Sequence, residues 1–235
     1  MLPLVTCIMP TANRFEFLSR AVTLFLAQDY PRKQLVIVED GQDDCSVLCA
    51  CHCGEVGCRV AQQIKYARLD GTRRTIGEKR NIACGLADGD LVAHWDDDDW
   101  HAPNRLSVQI EALFRARARL CGADRLVFYD AGRGRAYLYQ TARVPWLAGG
   151  TLLYEKTLQR EQPFQHVSRG EDTAFIDEAH RRGVRFAAIS DPSLYVATIH
   201  DGNTSPKRPV EQRWGGFNVE TVRRWIGETG KERAA

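Results

Sequence analysis

Apolar and polar positions fall into blocks along this chain, and the blocks have the lengths of strands and helices in turn. Leu4 to Met9 is a continuous apolar run ending at Pro10-Thr11, which predicts a buried parallel strand opening into a loop. Phe17, Leu18, Ala21, Val22, Leu24 and Phe25 then recur at helical spacing within Phe15 to Gln28, and Pro31 closes the segment. A second apolar run, Leu35 to Val38, ends in Glu39-Asp40-Gly41. Strand, helix and strand of these lengths predict a right-handed βαβ unit in a parallel sheet. Such sheets bind ligands beyond the carboxyl ends of their strands, where Thr11 and Asp40 fall.

The pattern continues with strands over Ile64 to Arg68 and Leu91 to Ala93 and a helix over Glu78 to Ala87. Beyond Trp100 it predicts helices over Arg105 to Arg119 and Thr173 to Arg182. Strands are expected over Leu126 to Tyr129, Thr151 to Tyr154, Val184 to Ile189 and Tyr195 to Ile199. Ala136 to Ala142 alternates (Tyr137, Tyr139, Thr141) as a half-exposed antiparallel strand does. Val219, Val222, Trp225 and Ile226 mark an amphipathic helix near the C-terminus. With no repeat and no low-complexity linker, one α/β domain is the economical reading. A first half, about 3 to 100, and a second, about 101 to 205, precede a C-terminal helix and tail, 206 to 235.

Composition narrows the class. At 44% hydrophobic and 26% charged residues the chain reads as an ordinary globular protein, and 32 basic against 30 acidic residues give no reason to expect nucleic acid. No apolar run reaches the ~20 residues of a membrane helix, and the start lacks the marks of a signal peptide, so a cytoplasmic protein is expected. Five of the eight cysteines, Cys45, Cys49, Cys51, Cys53 and Cys58, crowd with His52 into the aperiodic stretch 42 to 62. That cluster suits either a structural zinc or a surface loop of reduced thiols, since its spacing matches no paired Cys-x-x-Cys pattern.

The candidate chemistry centres on Asp96 to Asp99, four adjacent carboxylates behind an apolar strand. Such a run repels itself unless a cation sits there, and a magnesium or manganese ion held by one or two carboxylates and by phosphate oxygens is the usual solution. An acidic cap on the following helix is the plainer alternative. Arg80, in the first turn of its helix, opposes the helix dipole and is either a phosphate contact or a solvated arginine. Trp146 offers a flat face for a sugar ring or belongs to the core, and Gly149-Gly150 allows close backbone approach.

Taken in order, PLVTCIMPTANR, VIVEDG, IGEKRN, WDDDDWHAPNRL, GGTLLY, RGEDTAF and HDGNTS resemble the inverting glycosyltransferase family 2, from about residue 3 to 205. The resemblance implies a GT-A fold: a mostly parallel sheet flanked by helices, with a smaller antiparallel part in the second half. It implies a sugar transferred from a nucleoside-diphosphate sugar, UDP favoured, to an acceptor hydroxyl on a saccharide, lipid-linked or protein acceptor. Pro10, Thr11, Arg14, Asp40 and Arg80 match nucleotide-sugar positions, with Asp96 and Asp97. Asp98 matches the metal ligand, in a register open by one residue, and His200 a late histidine completing that site. Asp172 matches the catalytic base, and Trp146, Gly149, Gly150 and Glu171 lie where the acceptor is expected. A nucleotidyltransferase, or a non-catalytic zinc-stabilised carbohydrate-binding module, is the rival reading. The loop PTANR lacks the glycines and lysine that the first of these would favour.

Overall fold

The computed structural model describes residues 2–42, 63–141, 145–205 and 213–228. In chain order the elements are β1 (Val5–Thr11), α1 (Phe15–Leu26), β2 (Lys33–Glu39), β3 (Ile64–Arg68), α2 (Ile76–Leu86), β4 (Leu91–His94), β5 (Trp100–His101) and α3 (Arg105–Arg115). There follow β6 (Leu120–Ala123), β7 (Arg125–Asp130), β8 (Arg135–Gln140), β9 (Leu153–Glu155), α4 (Lys156–Glu161), α5 (Glu171–Arg181), β10 (Phe186–Ile189), β11 (Tyr195–Thr198), β12 (Trp214–Phe217) and α6 (Val219–Ile226). The cysteine-rich stretch, with Cys45, Cys49, Cys51, Cys53 and Cys58, lies outside the described residues.

Seven strands form the main sheet in the order β10-β6-β9-β4-β1-β2-β3. β1 runs parallel to β2 and β4, β2 to β3, and β6 to β10; β9 alone is antiparallel, between β4 and β6. Both faces are covered, which is why the strands read as unbroken apolar runs. On one face α1 and α3 place Leu18, Val22, Phe25, Leu106 and Ile110 against Val5, Cys7, Met9, Leu35 and Ile37. On the other, Ile8, Val36, Val38 and Val92 meet Ala83 and Cys84 of α2 and Phe175, Ile176 and Ala179 of α5. Burying each of the larger side chains contributes roughly 1.5–3 kcal/mol. A second sheet, β12-β8-β7-β11-β5, is antiparallel except for β7 against β11.

Several boundaries depart from the sequence expectation. α3 stops at Arg115 instead of Arg119, because Arg117 turns to a positive φ of 49° and releases the chain into β6. β6 is a buried inner strand between β9 and β10 whose LCGA sequence shows no alternation. α2 starts at Ile76, two residues before Glu78, because Thr75 and Glu78 form a reciprocal capping box. α5 likewise starts at Glu171, so the Glu-Asp pair belongs to its first turn. The expected strand Thr151 to Tyr154 divides into a single 3₁₀ turn, Gly149–Thr151, and β9. The short elements β5, α4 and β12 carry too few residues to show a period, so the pattern along the chain misses them.

Candidate functional site

The carboxyl ends of β1 and β4, the start of α5 and the second sheet enclose a cavity of about 910 Å³. Pro10, Thr11, Arg14, Arg80, Asp96, Asp97, Asp98, Trp146, Gly149, Gly150, Glu171 and Asp172 all line it, so residues up to 162 positions apart meet there. Asp40 lies behind this wall, 1% exposed, with its two oxygens taken by Lys79 Nζ at 2.8 Å and the Arg74 amide at 2.7 Å. Lys79 Nζ also donates to the Thr11 carbonyl at 3.0 Å, tying the end of β1 to α2.

The four aspartates have four different surroundings. Asp97 accepts from Thr11 Oγ1 at 2.6 Å and from Arg14 Nη1 at 2.8 Å. The same guanidinium reaches Asp98 Oδ2 at 3.0 Å, and His200 Nε2 lies 3.1 Å from that oxygen. Asp99 turns inward, accepting from the Tyr195 hydroxyl and from the Thr198 amide. Asp96 faces Arg80 at 3.5 Å and the Tyr195 hydroxyl at 3.4 Å. Burial pushes the carboxyls of Asp96 and Asp99 above the ordinary carboxylate range, Asp99 well above it, and neighbouring aspartates add to the rise. Asp97 and Asp98 thus share Arg14, and Asp96 faces Arg80; both arginines line the cavity.

Arg80 corrects the dipole argument made from its position. Its charge in the early part of α2 is offset by protein carboxylates, Glu171 at 2.6 Å and Asp96 at 3.5 Å, and needs no external anion for that purpose. Although burial opposes its charge, Asp96 and Glu171 together hold Arg80 protonated and raise its pKa. Its Nε, and that of Arg74, find no partner among the described residues although both atoms are buried. Both residues line the cavity.

Asp172 sits in the first turn of α5. Its Oδ1 accepts from the Thr173 amide at 2.6 Å, and its Oδ2 packs against Gly149, where a Cβ would come within 1.6 Å. A Cβ on Gly150 would meet the Tyr195 hydroxyl at 2.1 Å and Asp96 Oδ2 at 2.5 Å. The glycine pair therefore makes room for two carboxylates. Its carbonyls are held from behind: His94 Nδ1 lies 2.7 Å from Gly149 O, and Arg105 Nη2 donates to Gly150 O at 3.1 Å.

Arg105 is a functional support that sequence reasoning missed. It is fully buried with no carboxylate partner among the described residues, between the rings of Trp95 and Tyr195 at 5.3 Å from each centroid. It donates to Gln109, to the His94 carbonyl and to Gly150 O, and reaches His101 Nδ1. Because arginine only donates, His101 Nδ1 accepts, and the proton assigned to Nε2 donates to the Asp96 carbonyl at 3.2 Å. The signal was present in the sequence, where Arg105 and Gln109 fall one helical turn apart on the same face as Leu106, Ile110 and Leu113. Among the described residues no group of three or more His, Cys, Asp or Glu side chains surrounds a common centre, and no helix is long and apolar enough to cross a membrane.

Comparison with known proteins agrees with this architecture. The poly(ribitol-phosphate) beta-N-acetylglucosaminyltransferase TarS of Staphylococcus aureus strain MW2 is 25% identical over 211 residues, 83% of this chain and 35% of that protein. The crystal structure of S. aureus TarS 1-349 in complex with UDP-GlcNAc superposes with a TM-score of 0.67 at 19% identity, covering 85% of this chain and 60% of that one. A mannosyltransferase from Pyrobaculum calidifontis in complex with GDP-Man and Mn2+ gives 0.66 at 18% identity, covering 86% of this chain and 59% of that one. The likeness establishes the shared GT-A fold. The chain spans a little over a third of the length of the curated relatives it matches first. The profile described as Glycosyl transferase family 2 matches residues 6–189, most of the chain, and the chain belongs to that family.

Proposed function

We propose that this chain transfers a sugar, with inversion, from a nucleoside-diphosphate sugar to an acceptor hydroxyl, that the donor is a UDP-sugar, and that Asp172 is the general base. The observation that carries the reading is the shared cavity: Asp172 and the Asp96–Asp98 run border one space, joined through Gly149 and Gly150. The uridine carrier is favoured by the TarS structures solved with UDP and UDP-GlcNAc. The half about 3 to 100 would then hold the donor and the half about 101 to 205 the acceptor.

Asp98 and His200 would hold a manganese or magnesium ion. The donor types suit such an ion, since a carboxylate oxygen and an imidazole nitrogen meet at 3.1 Å, but the Arg14 guanidinium, 3.0 Å from that same oxygen, would have to give it up to the cation. His200 would offer Nε2 to the ion, its Nδ1 now accepting from the Gly202 amide at 3.1 Å. When bound, such an ion offsets charge growing on a departing diphosphate. The chain's own groups do the rest. Arg14 and Arg80 supply fixed positive charge beside the aspartates. The guanidinium groups of Arg74 and Arg80, both on the cavity lining, offer donors to phosphate oxygens. Asp172 accepts the acceptor's hydroxyl proton, a step typically worth ~10²- to 10⁴-fold.

The test is thermal-shift and calorimetric binding of UDP, GDP and dTDP, each with and without manganese, to the wild type and to Asp98→Ala. Stabilisation by UDP that depends on manganese, and loses that dependence in Asp98→Ala, is the expected result. Metal-independent binding, or equal binding by both proteins, overturns the metal assignment. Absence of binding by every nucleotide favours the non-catalytic carbohydrate-binding module.

A further inference from the structure

The cavity has two chemically distinct walls. Every charged residue on its lining comes from the loops and helices around the main sheet or from the aspartate run. The second sheet contributes Leu126, Phe128, Tyr139, Tyr195, Ala197, Thr198 and Trp214, none of them charged. Strand register explains the grouping: Leu126 pairs with Tyr139, Tyr139 with Trp214, and Phe128 with Ala197, so one sheet face presents a continuous row across four strands. Trp146 extends the row, its ring 5.0 Å from Tyr139 and tilted by 52°. Trp214 lies 5.2 Å from Tyr139 and 4.4 Å from Phe128.

Phe128 and Leu126 are buried, whereas Tyr139, Trp146 and Trp214 remain half-exposed along the cavity. Three half-exposed aromatic rings beside a polar site leave apolar area in water that a ligand with an apolar face would cover. The row is continuous with the reaction centre, because Trp146 stands three residues before Gly149, the residue on which Asp172 rests.

We infer that Tyr139, Trp146 and Trp214 form the acceptor platform and that the acceptor is an uncharged pyranoside, whose axial C–H face packs on these rings while a hydroxyl is turned toward Asp172. This rests on the glycosyl-transfer reading and specifies its acceptor class. An anionic acceptor, such as a polyol phosphate, would find no cation on this wall among the described residues. In the transfer the acceptor oxygen forms the new glycosidic bond and gives its proton to Asp172, while the bond from the anomeric carbon to the diphosphate breaks and its electron pair leaves with the nucleotide.

The experiment is ligand-observed NMR saturation transfer on the protein with UDP and manganese present. The probes are methyl β-glucopyranoside, methyl α-mannopyranoside and chitobiose, against ribitol 5-phosphate. Wild type should transfer saturation to the ring C–H protons of at least one pyranoside. Trp146→Leu and Tyr139→Leu should weaken that binding tenfold or more, Tyr139→Phe should retain it, and UDP affinity should stay within twofold in all three. Pyranoside binding unchanged by both leucine variants, no binding of any pyranoside, or binding of ribitol 5-phosphate alone overturns the inference. Wild-type failure to bind UDP while pyranosides still bind the aromatic row would instead bring down the donor reading.

Discussion

Gly149 and Asp172 occupy one another's space: a Cβ on Gly149 would stand 1.6 Å from Asp172 Oδ2. No side chain fits there without moving the carboxylate. Gly149→Ala should therefore lower turnover by about 100-fold, since a misplacement of about 1 Å in a reacting group costs that much. Nucleotide affinity should be unchanged, because Asp96 lies against Gly150 instead, and Asp97 and Asp98 are held by Thr11, Arg14 and His200. Steady-state kinetics alongside UDP calorimetry checks it; full activity in Gly149→Ala would show that the position of Asp172 is irrelevant to transfer.

Asp172→Asn keeps the shape of the side chain and removes its ability to accept a proton. Transfer should fall by about 10²- to 10⁴-fold with UDP binding intact. The helix loses one first-turn acid, a stability change of roughly 0.3–1 kcal/mol. Turnover above a tenth of wild type would remove Asp172 from the role of base.

Arg105 holds the glycine pair and the aspartate run through buried carbonyls, so Arg105→Lys should not be a conservative change. One ammonium cannot reach Gln109, the His94 carbonyl and Gly150 O together, and the stacking between Trp95 and Tyr195 is lost. A loss of about 2–4 kcal/mol in denaturant unfolding is expected, with each buried group left unpaired costing about 1–3.

In metal-free protein, burial and the neighbouring Asp98 push the Asp97 carboxyl up to about 6, against Arg14 and Thr11, which lower it. A carboxyl raised on folding holds its proton more tightly in the folded state. Its contribution is complete below the ordinary 3.8 and is lost as pH rises through about 6. The stability of wild type relative to Asp97→Asn should thus decline by about 3 kcal/mol across that interval. A flat or rising difference by urea unfolding at pH 4, 5, 6 and 7 in EDTA would contradict it.

Cys7, Cys84 and Cys121 are buried, and burial pushes their thiols up to about 12, 11 and 12. Since the thiolate is the reactive form, native protein at pH 8 should leave these three unmodified by iodoacetamide, while urea-unfolded protein should label them fully. Peptide mass spectrometry distinguishes them from the other five cysteines.

Much of the fold was legible because its signals are local. The βαβ start appears in the runs Leu4 to Met9 and Leu35 to Val38 with the helix between them, and the aspartate run stands out by charge density alone and lines the cavity. Boundaries slipped where a side-chain cap or a positive φ decided them, as at Thr75 and Arg117. Arg105 went unnoticed because its meaning lies in carbonyls at positions 94 and 150, which only the folded chain brings near it.

The sequence by itself determined the α/β alternation, the buried parallel strands and the clustering of carboxylates, since periodicity and charge are properties of neighbours along the chain. Tertiary structure alone decided which aspartate faces which partner: Asp97 to Thr11 and Arg14, Asp98 to His200, Asp99 to Tyr195, Asp96 to Arg80. Four identical residues in a row carry no local mark of these roles. The partners lie 16 to 102 positions away, and strand order and loop path, set by global packing, bring each to its place.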